Sequence, residues 1–422
     1  MSKPVIAYAG MTHLGINYAA AGAAHGFSVI GYDPDKARIA DLQAARLPVS
    51  EPGLDDLFRE HAARLQFSAE AAALAKADIV YIAADVPTDD AGRSDLSPIV
   101  ALIETADRVI RADALLVVLC QVPPGFTRAL KRAPDRLYYQ VETLVFGQAV
   151  ERAMKPERYI VGCARPEAGI APALAEYLQA FNCPLLPMRY ESAELAKISI
   201  NCCLVASVSV ANTLAEICEK IGADWSEIAP ALKLDRRIGP YSYLSPGLGI
   251  AGGNLERDLT TVCELGNQHG TDIGVIASFI ANSRHRRDWV LAMLHATLLR
   301  QRREPVLAVW GLAYKQDTHS VKNSPSLAML AALGDCTVRA FDPQVKGDKA
   351  YHAGLVQAAD PLDACRGADA LAIMTPWSIF KGIAPKDIAD SLAGRIVIDP
   401  FAVLSRRQCL EAGLEHHTLG VT

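Results

Sequence analysis

One phrase occurs twice in this chain and limits the fold more than anything else in it. Val5-Ile-Ala-Tyr-Ala-Gly10 leads through a loop and a helical stretch to Ser28-Val-Ile-Gly-Tyr-Asp33-Pro34, and Val306-Leu-Ala-Val-Trp-Gly311 leads the same way to Thr337-Val-Arg-Ala-Phe-Asp342-Pro343. In each copy the first strand is continuously apolar, as parallel strands covered on both faces must be. Further apolar strands alternate with helical stretches at Ala77–Ala83, Ala114–Leu119, Ala370–Met374 and Arg395–Asp399. Strand–helix alternation of this kind predicts an α/β fold with two doubly wound parallel sheets. Residues 193–297 read as helix, and the first helix there, from Ala193 to about Ile221, stops at Gly222. The expected division is 1–192, 193–297 and 298–422, in keeping with ~100–200 residues per domain.

Composition excludes some partners. The net charge of −5 offers no electrostatic footprint for nucleic acid or an anionic membrane surface, so any polyanionic ligand must be held by local donors. Ten cysteines lie mostly in apolar runs without metal-ligand spacing, which predicts small buried thiols, no metal site and a reducing, cytoplasmic setting. The first strand begins almost at once, and no secretion signal is read before it. Ile198 to Leu214 is uncharged and nearly long enough to suggest a membrane span. Five Ser and Asn residues interrupt it and Glu194, Lys197 and Glu216 flank it, so a helix buried within the protein is expected.

Four stretches carry chemistry. Gly10-Met-Thr-His-Leu-Gly15 occupies a strand-to-helix turn, with Asp33 ending the next strand. That is the context of a dinucleotide site: pyrophosphate at the helix N-terminus, carboxylate on the ribose hydroxyls. Asp33 repels a 2′-phosphate and selects NAD. Thr12 stands where the middle glycine usually lets the backbone approach the phosphates; the alternative is an α/β turn that binds nothing. Lys197 and Asn201 lie four apart, on one face of an otherwise apolar helix. A partly buried lysine is readily tuned for proton chemistry, whereas one near a helix start can simply reach solvent. Pro246-Gly-Leu-Gly-Ile-Ala-Gly-Gly253-Asn254-Leu-Glu-Arg257-Asp258 can wrap backbone N–H groups around a ligand, or be a flexible loop. Lys315, read at a strand end, precedes Ser324-Pro325, a cap and first-turn pair whose donors could bind phosphate or merely start a helix.

Together these segments resemble the UDP-glucose/GDP-mannose dehydrogenase family along nearly the whole chain. Gly10 to Asp33, Glu51-Pro-Gly-Leu54, Val86-Pro-Thr88, Val122-Pro-Pro-Gly125, Glu142-Thr-Leu with Gly147, and Pro156-Glu-Arg158 follow in family order. So do Ala193-Glu-Leu-Ala-Lys197 with Asn201 and Asn212, Asp235-Arg-Arg237-Ile-Gly239, the glycine loop to Asp258, Gly311-Leu-Ala-Tyr-Lys315 and Thr375-Pro-Trp377. The resemblance implies two Rossmann-like domains joined by a long helix within a helical central domain, a homodimer, and NAD as cofactor. It implies that Gly10, Thr12, Leu14, Gly15, Asp33, Val86, Thr88, Gln121 and Lys322 border NAD. The nucleotide-sugar then falls to Glu142, Lys197, Asn201, Arg237, Gly249, Gly252, Gly253, Tyr314 and Lys315, with Arg237 reaching a neighbouring subunit. Lys197, Asp258, Glu142, Asn201 and Asn254 are the implied catalytic set. Polysaccharide precursor synthesis is the implied setting.

The chain departs from the family pattern at specific places. Asn254 stands at the position of the cysteine that captures the aldehyde between two oxidations, and an amide cannot attack a carbonyl as a thiolate does. Gln121 replaces a threonine, Arg257 a lysine, Lys322-Asn323 an Arg-Glu pair, and Pro400-Phe401 a Gly-Arg pair that would supply a guanidinium to the substrate. The leading expectation is a two-electron oxidation of a nucleotide-sugar alcohol to a carbonyl. The alternatives are a four-electron reaction through a hydrate or through Cys120, and a non-catalytic nucleotide-sugar and NAD-binding relative.

Overall fold

A computed structural model describes residues 3–89 and 92–421. The chain forms two compact units, the first Met1–Asp89 and Arg93–Ile200, the second principally Asn201–Thr422.

The first unit is built on an eight-stranded sheet. Its strands are β1 (Ile6–Ala9), β2 (Val29–Tyr32), β3 (Leu65–Ser68), β4 (Ile79–Ile82), β5 (Leu115–Val118), β6 (Leu137–Gln140), β7 (Tyr159–Cys163) and β8 (Leu185–Arg189). They lie in the order β3-β2-β1-β4-β5-β6-β7-β8, and every neighbouring pair is parallel except β6 with β7. The period of two is visible in β1: Ile6 and Tyr8 enter one apolar layer and Ala7 and Ala9 the other. Both faces are thus covered, and each fully buried Val, Leu or Ile contributes roughly 1.5–3 kcal/mol. β8 contains Pro187, which lacks an N–H, and it lies at the sheet edge where that loss is tolerated.

The second unit carries a six-stranded, all-parallel sheet ordered β11-β10-β9-β12-β13-β14. These strands are β9 (Val306–Trp310), β10 (Thr337–Phe341), β11 (Leu355–Gln357), β12 (Ala370–Ile373), β13 (Ile396–Ile398) and β14 (Glu415–His417). The order is that of the first six strands of the other sheet, so the internal repeat holds at the level of topology. It also holds in atomic detail. Gly10 and Gly311 both have φ +98°. A Cβ on Gly10 would lie 2.6 Å from that of Ala84, and one on Gly311 2.4 Å from that of Thr375. Asp33 accepts the Met11 N–H at 2.7 Å, and Asp342 accepts the Leu312 N–H at 2.7 Å. Each carboxylate therefore ties the end of its second strand to the turn after the first.

The long helix spans Tyr190–Ile221, three residues earlier at its start than the sequence suggests, and Gly222 stops it with φ +78°. It is long and apolar enough to cross a membrane by length and composition, but only 39% of its most apolar window is buried within this chain. The expectation of a helix buried inside the protein is therefore corrected. Val210, Leu214, Ile217 and Ile221 form an exposed stripe along it. Opposite that stripe, Arg286, 1% exposed, pairs with Glu219 at 3.0 Å and with Glu216 at 3.4 Å. Glu219 also accepts the Trp289 indole N–H and the Gly420 N–H, tying the chain's last turn to the helix.

All ten cysteines are free thiols. Five are buried as expected, but Cys203 is exposed on the long helix. Among the described residues no cluster of His, Cys, Asp and Glu could hold a metal ion.

Candidate active site

The turn after β1 lies at the point where strand order reverses between β1 and β4, the usual ligand crevice of such sheets. Gly10 is forced there by its left-handed backbone and by the close approach of Ala84. Gly15 is equally confined, since a Cβ on it would meet the Gly10 carbonyl oxygen at 2.0 Å. The helix His13–Ala24 begins at this turn, so its first N–H groups and the positive end of its dipole face the crevice. These features fit a dinucleotide. Leu14, 5% exposed, points its side chain into the core, so only its backbone can serve a cofactor. Asp33 is more engaged than the sequence implies: besides Met11, it holds the Arg38 guanidinium at 2.7 Å and the Asp35 N–H at 2.9 Å. A carboxylate has about four acceptor directions, so one remains for a ribose hydroxyl. Val86 and Thr88 follow β4 at the same end of the sheet, and Gln121 is buried after β5.

Lys197 does not reach solvent. It is 8% exposed, and its Nζ lies 2.7 Å from Glu142 Oε1. Glu142 sits just past the carboxyl end of β6, where its other oxygen accepts the Leu144 N–H at 3.0 Å. Glu194, one turn before Lys197 on the helix, is fully buried and accepts the N–H groups of Gly125 at 2.6 Å and Thr127 at 2.8 Å. Burial pushes its carboxyl up and those amides pull it down. It fixes the Val122–Gly125 loop to the helix that carries the lysine. Glu51 acts in a similar way, meeting His13 Nε2 at 2.7 Å and accepting the N–H groups of Gly147 and Ala149. The loop that holds Glu142 is thereby pinned to the cofactor turn, with the Phe146 ring tilted 31° against His13 at a centroid distance of 4.1 Å.

In the second unit, Asn201 donates its side-chain N–H to the Asp258 carboxylate, and both are buried. Asn254 is exposed at the first position of the helix Asn254–His269, one turn before Asp258 and on the same face. The preceding glycine loop is anchored, not flexible. Gly247 N–H donates to Asn212 Oδ1 at 2.8 Å, Ile250 N–H to Ser283 Oγ at 2.7 Å, and Gly252 N–H to the Lys322 carbonyl at 3.1 Å. A Cβ on Gly249 would strike the Ser283 carbonyl oxygen at 2.2 Å, and one on Gly252 the Tyr314 ring at 2.8 Å. Gly253 caps the helix through its backbone alone. Tyr314 therefore packs on the loop, and Lys315 Nζ lies 5.9 Å from its ring centroid.

Several site residues lie differently from what the sequence suggests. β9 ends at Trp310, so Lys315 belongs to the following loop and not to a strand end. Ser324 and Pro325 do start a helix, but the Ser324 hydroxyl donates to the Leu312 carbonyl at 2.7 Å and caps nothing. The Lys322 carbonyl accepts the Gly252 N–H of the glycine loop. Arg237 has a side chain 89% exposed and pairs with Asp235 in its own turn, which leaves the expected reach to a neighbouring subunit open. Phe401 packs against the core of the second unit. Cys120 is buried, donates to the Ile82 carbonyl at 3.1 Å, and has its thiol pKa raised, chiefly by burial. Cys202, beside Asn201, is pushed up to about 11 by burial and then by Asp258. Glu194, Glu51 and His13 lie in the family-like segments, but sequence reasoning gave none of them a role. A carboxylate one turn from a buried lysine on an apolar helix was the available signal for Glu194.

Similarity to known proteins agrees with this geometry. The NAD binding domain of the UDP-glucose/GDP-mannose dehydrogenase family matches residues 5–179, its central domain residues 191–284 and its UDP binding domain residues 308–406. The chain is 28% identical to the UDP-glucose 6-dehydrogenase TuaD of Bacillus subtilis, over 98% of this chain and 93% of that protein. It is also 28% identical to a UDP-glucose 6-dehydrogenase of Pseudomonas aeruginosa, over 97% and 96%. A UDP-glucose dehydrogenase structure from Pyrobaculum islandicum superposes with a TM-score of 0.86 at 25% identity, covering 100% of this chain and 98% of that one. Two doubly wound sheets, a cofactor turn at the switch point of the first and three matched domains in order place this chain in the UDP-glucose/GDP-mannose dehydrogenase family, whose cofactor is NAD.

Proposed function

We propose that the protein oxidises a nucleotide-sugar alcohol, a UDP-sugar in first preference, to a carbonyl with removal of two electrons. The observation that carries this reading is the buried Lys197–Glu142 pair at the carboxyl end of β6. NAD supplies a hydride acceptor when bound. Lys197 stabilises the alkoxide that forms as the hydroxyl proton leaves, Glu142 holds the amine in place, and Asp258 or a water on it takes the proton. Asn201 orients Asp258, and Asn254 donates to the sugar or carbonyl oxygen. By the family resemblance Asn254 stands where a cysteine captures the aldehyde, and burial pushes the thiols of Cys120 and Cys202 up, which supports a reaction without a thiolate. The balance is one alcohol and one NAD⁺ giving one carbonyl, one NADH and one proton. One NADH per sugar is expected, with a product that hydroxylamine traps. Two NADH per sugar and a uronic acid would overturn the two-electron reading.

In this reading residues 1–192 hold NAD, 298–422 the nucleotide, and 193–297 form a helical centre through which two chains pair. Support for pairing comes from the exposed stripe Val210, Leu214, Ile217 and Ile221, spaced three and four apart as a helix seam requires. Changing Leu214 and Ile217 together to Asp is expected to shift the protein from dimer to monomer in light scattering. An unchanged dimer mass would place the interface elsewhere.

A further inference from the structure

Thr12 is the residue before the first helical turn, but its hydroxyl makes no cap for that helix. It accepts instead the N–H of Asp85 at 2.9 Å. Asp85 is the third residue past β4, on the opposite wall of the switch-point crevice, and it is exposed there. Desolvation, the largest effect, pushes its carboxyl up from the usual carboxylate range, against the pull of the Thr12 hydroxyl and His13. His13 is the first residue of the helix, so a carboxylate lies at the one helix end in this unit that a dinucleotide's pyrophosphate needs. The two walls approach closely here: a Cβ on Gly10 would lie 2.7 Å from the Ala84 backbone N, and one on Gly15 3.4 Å from the Ala83 carbonyl oxygen.

We propose that Asp85, held by Thr12, is an internal anion that competes with the NAD pyrophosphate for the N-terminus of the His13–Ala24 helix, and so weakens cofactor binding. The inference rests on the NAD reading of this turn. A doubly anionic pyrophosphate and a carboxylate repel when they share one set of N–H donors. Binding then requires the carboxylate to turn out towards solvent, while the Thr12 contact keeps the residue-85 backbone at the turn. A neutral residue at 85 removes the competitor and leaves the turn intact.

The test measures dissociation constants for NAD, ADP and adenosine by calorimetry at low ionic strength. The proteins are the full-length wild type, Asp85→Asn and Thr12→Val. Asp85→Asn is expected to tighten NAD and ADP about tenfold and to leave adenosine, which has no phosphate, unchanged. Thr12→Val, which keeps the shape but loses the acceptor that fixes residue 85, is expected to tighten NAD and ADP by a smaller factor. Raising the salt to 0.5 M should shrink the gap between wild type and Asp85→Asn, since exposed charges are screened within about 10 Å already at 0.1 M. NAD and ADP constants within twofold of wild type, or an equal change for adenosine, would overturn the proposal while leaving NAD as the cofactor. Failure of all three ligands to bind any of the proteins would remove the NAD reading itself, and this inference with it.

Discussion

Lys197→Met is expected to lower kcat for NADH formation about 10³-fold while changing KM for NAD less than threefold. The size follows from what the ammonium does. In a buried site a fixed positive group aimed at a developing alkoxide contributes on the order of 10²–10³ in rate, and a positioned proton-handling group 10²–10⁴. Methionine keeps the length of the stem and its packing, so the fold of the helix is preserved. Glu142 keeps the Leu144 N–H as a donor to its other oxygen. Lys197→Arg is expected to restore little, because a planar guanidinium cannot take the place of a compact ammonium 2.7 Å from a carboxylate oxygen without moving the loop after β6. Initial rates at saturating nucleotide-sugar and NAD, with circular dichroism to verify the fold, decide the matter. A loss under tenfold would reduce Lys197 to a structural ion pair.

Arg286→Met should destabilise the second unit by about 3–5 kcal/mol, the range seen when one partner of a buried ion pair is removed. Its guanidinium is 1% exposed and faces two carboxylates, Glu219 and Glu216. Methionine fills the space but leaves those charges without this counter-ion. Glu219 still has the Trp289 and Gly420 N–H groups, which keeps the loss towards the lower end of the range. Urea unfolding followed by tryptophan fluorescence reads the change, since Trp289 shares the network. A shift below about 1 kcal/mol would mean the pair behaves like one at the surface.

What could be read from the sequence was whatever is periodic or local. The strands β1, β2, β4, β5, β9, β12 and β13 are continuous apolar runs and were legible, and β10, which contains Arg339, was legible from the repeat and its Asp-Pro end. β3, β8, β11 and β14 are edge strands of three to five residues, half-exposed or interrupted by proline, and periodicity carries little signal there. Among site residues, Lys197 stood out because an ammonium on an apolar helix needs a partner. Its alternative, a lysine reaching solvent, could be dismissed only by seeing Glu142 55 residues away in sequence. Asp85 was not legible, since nothing local says that a carboxylate after one strand lies against the helix that begins after another. The exposed side of the long helix was misjudged for a related reason: an apolar composition shows that a surface avoids water, but not which chain covers it.

The matched geometry of Gly10 with Asp33 and of Gly311 with Asp342 bears on inhibitor design. A diphosphate mimic shaped to the backbone of one crevice meets nearly the same backbone in the other. Discrimination must come from the few side chains that differ, Thr12 and Asp85 in one half against Ala313 and Pro376 in the other. A cationic substituent placed to meet the Asp85 carboxylate would favour the first crevice over its twin.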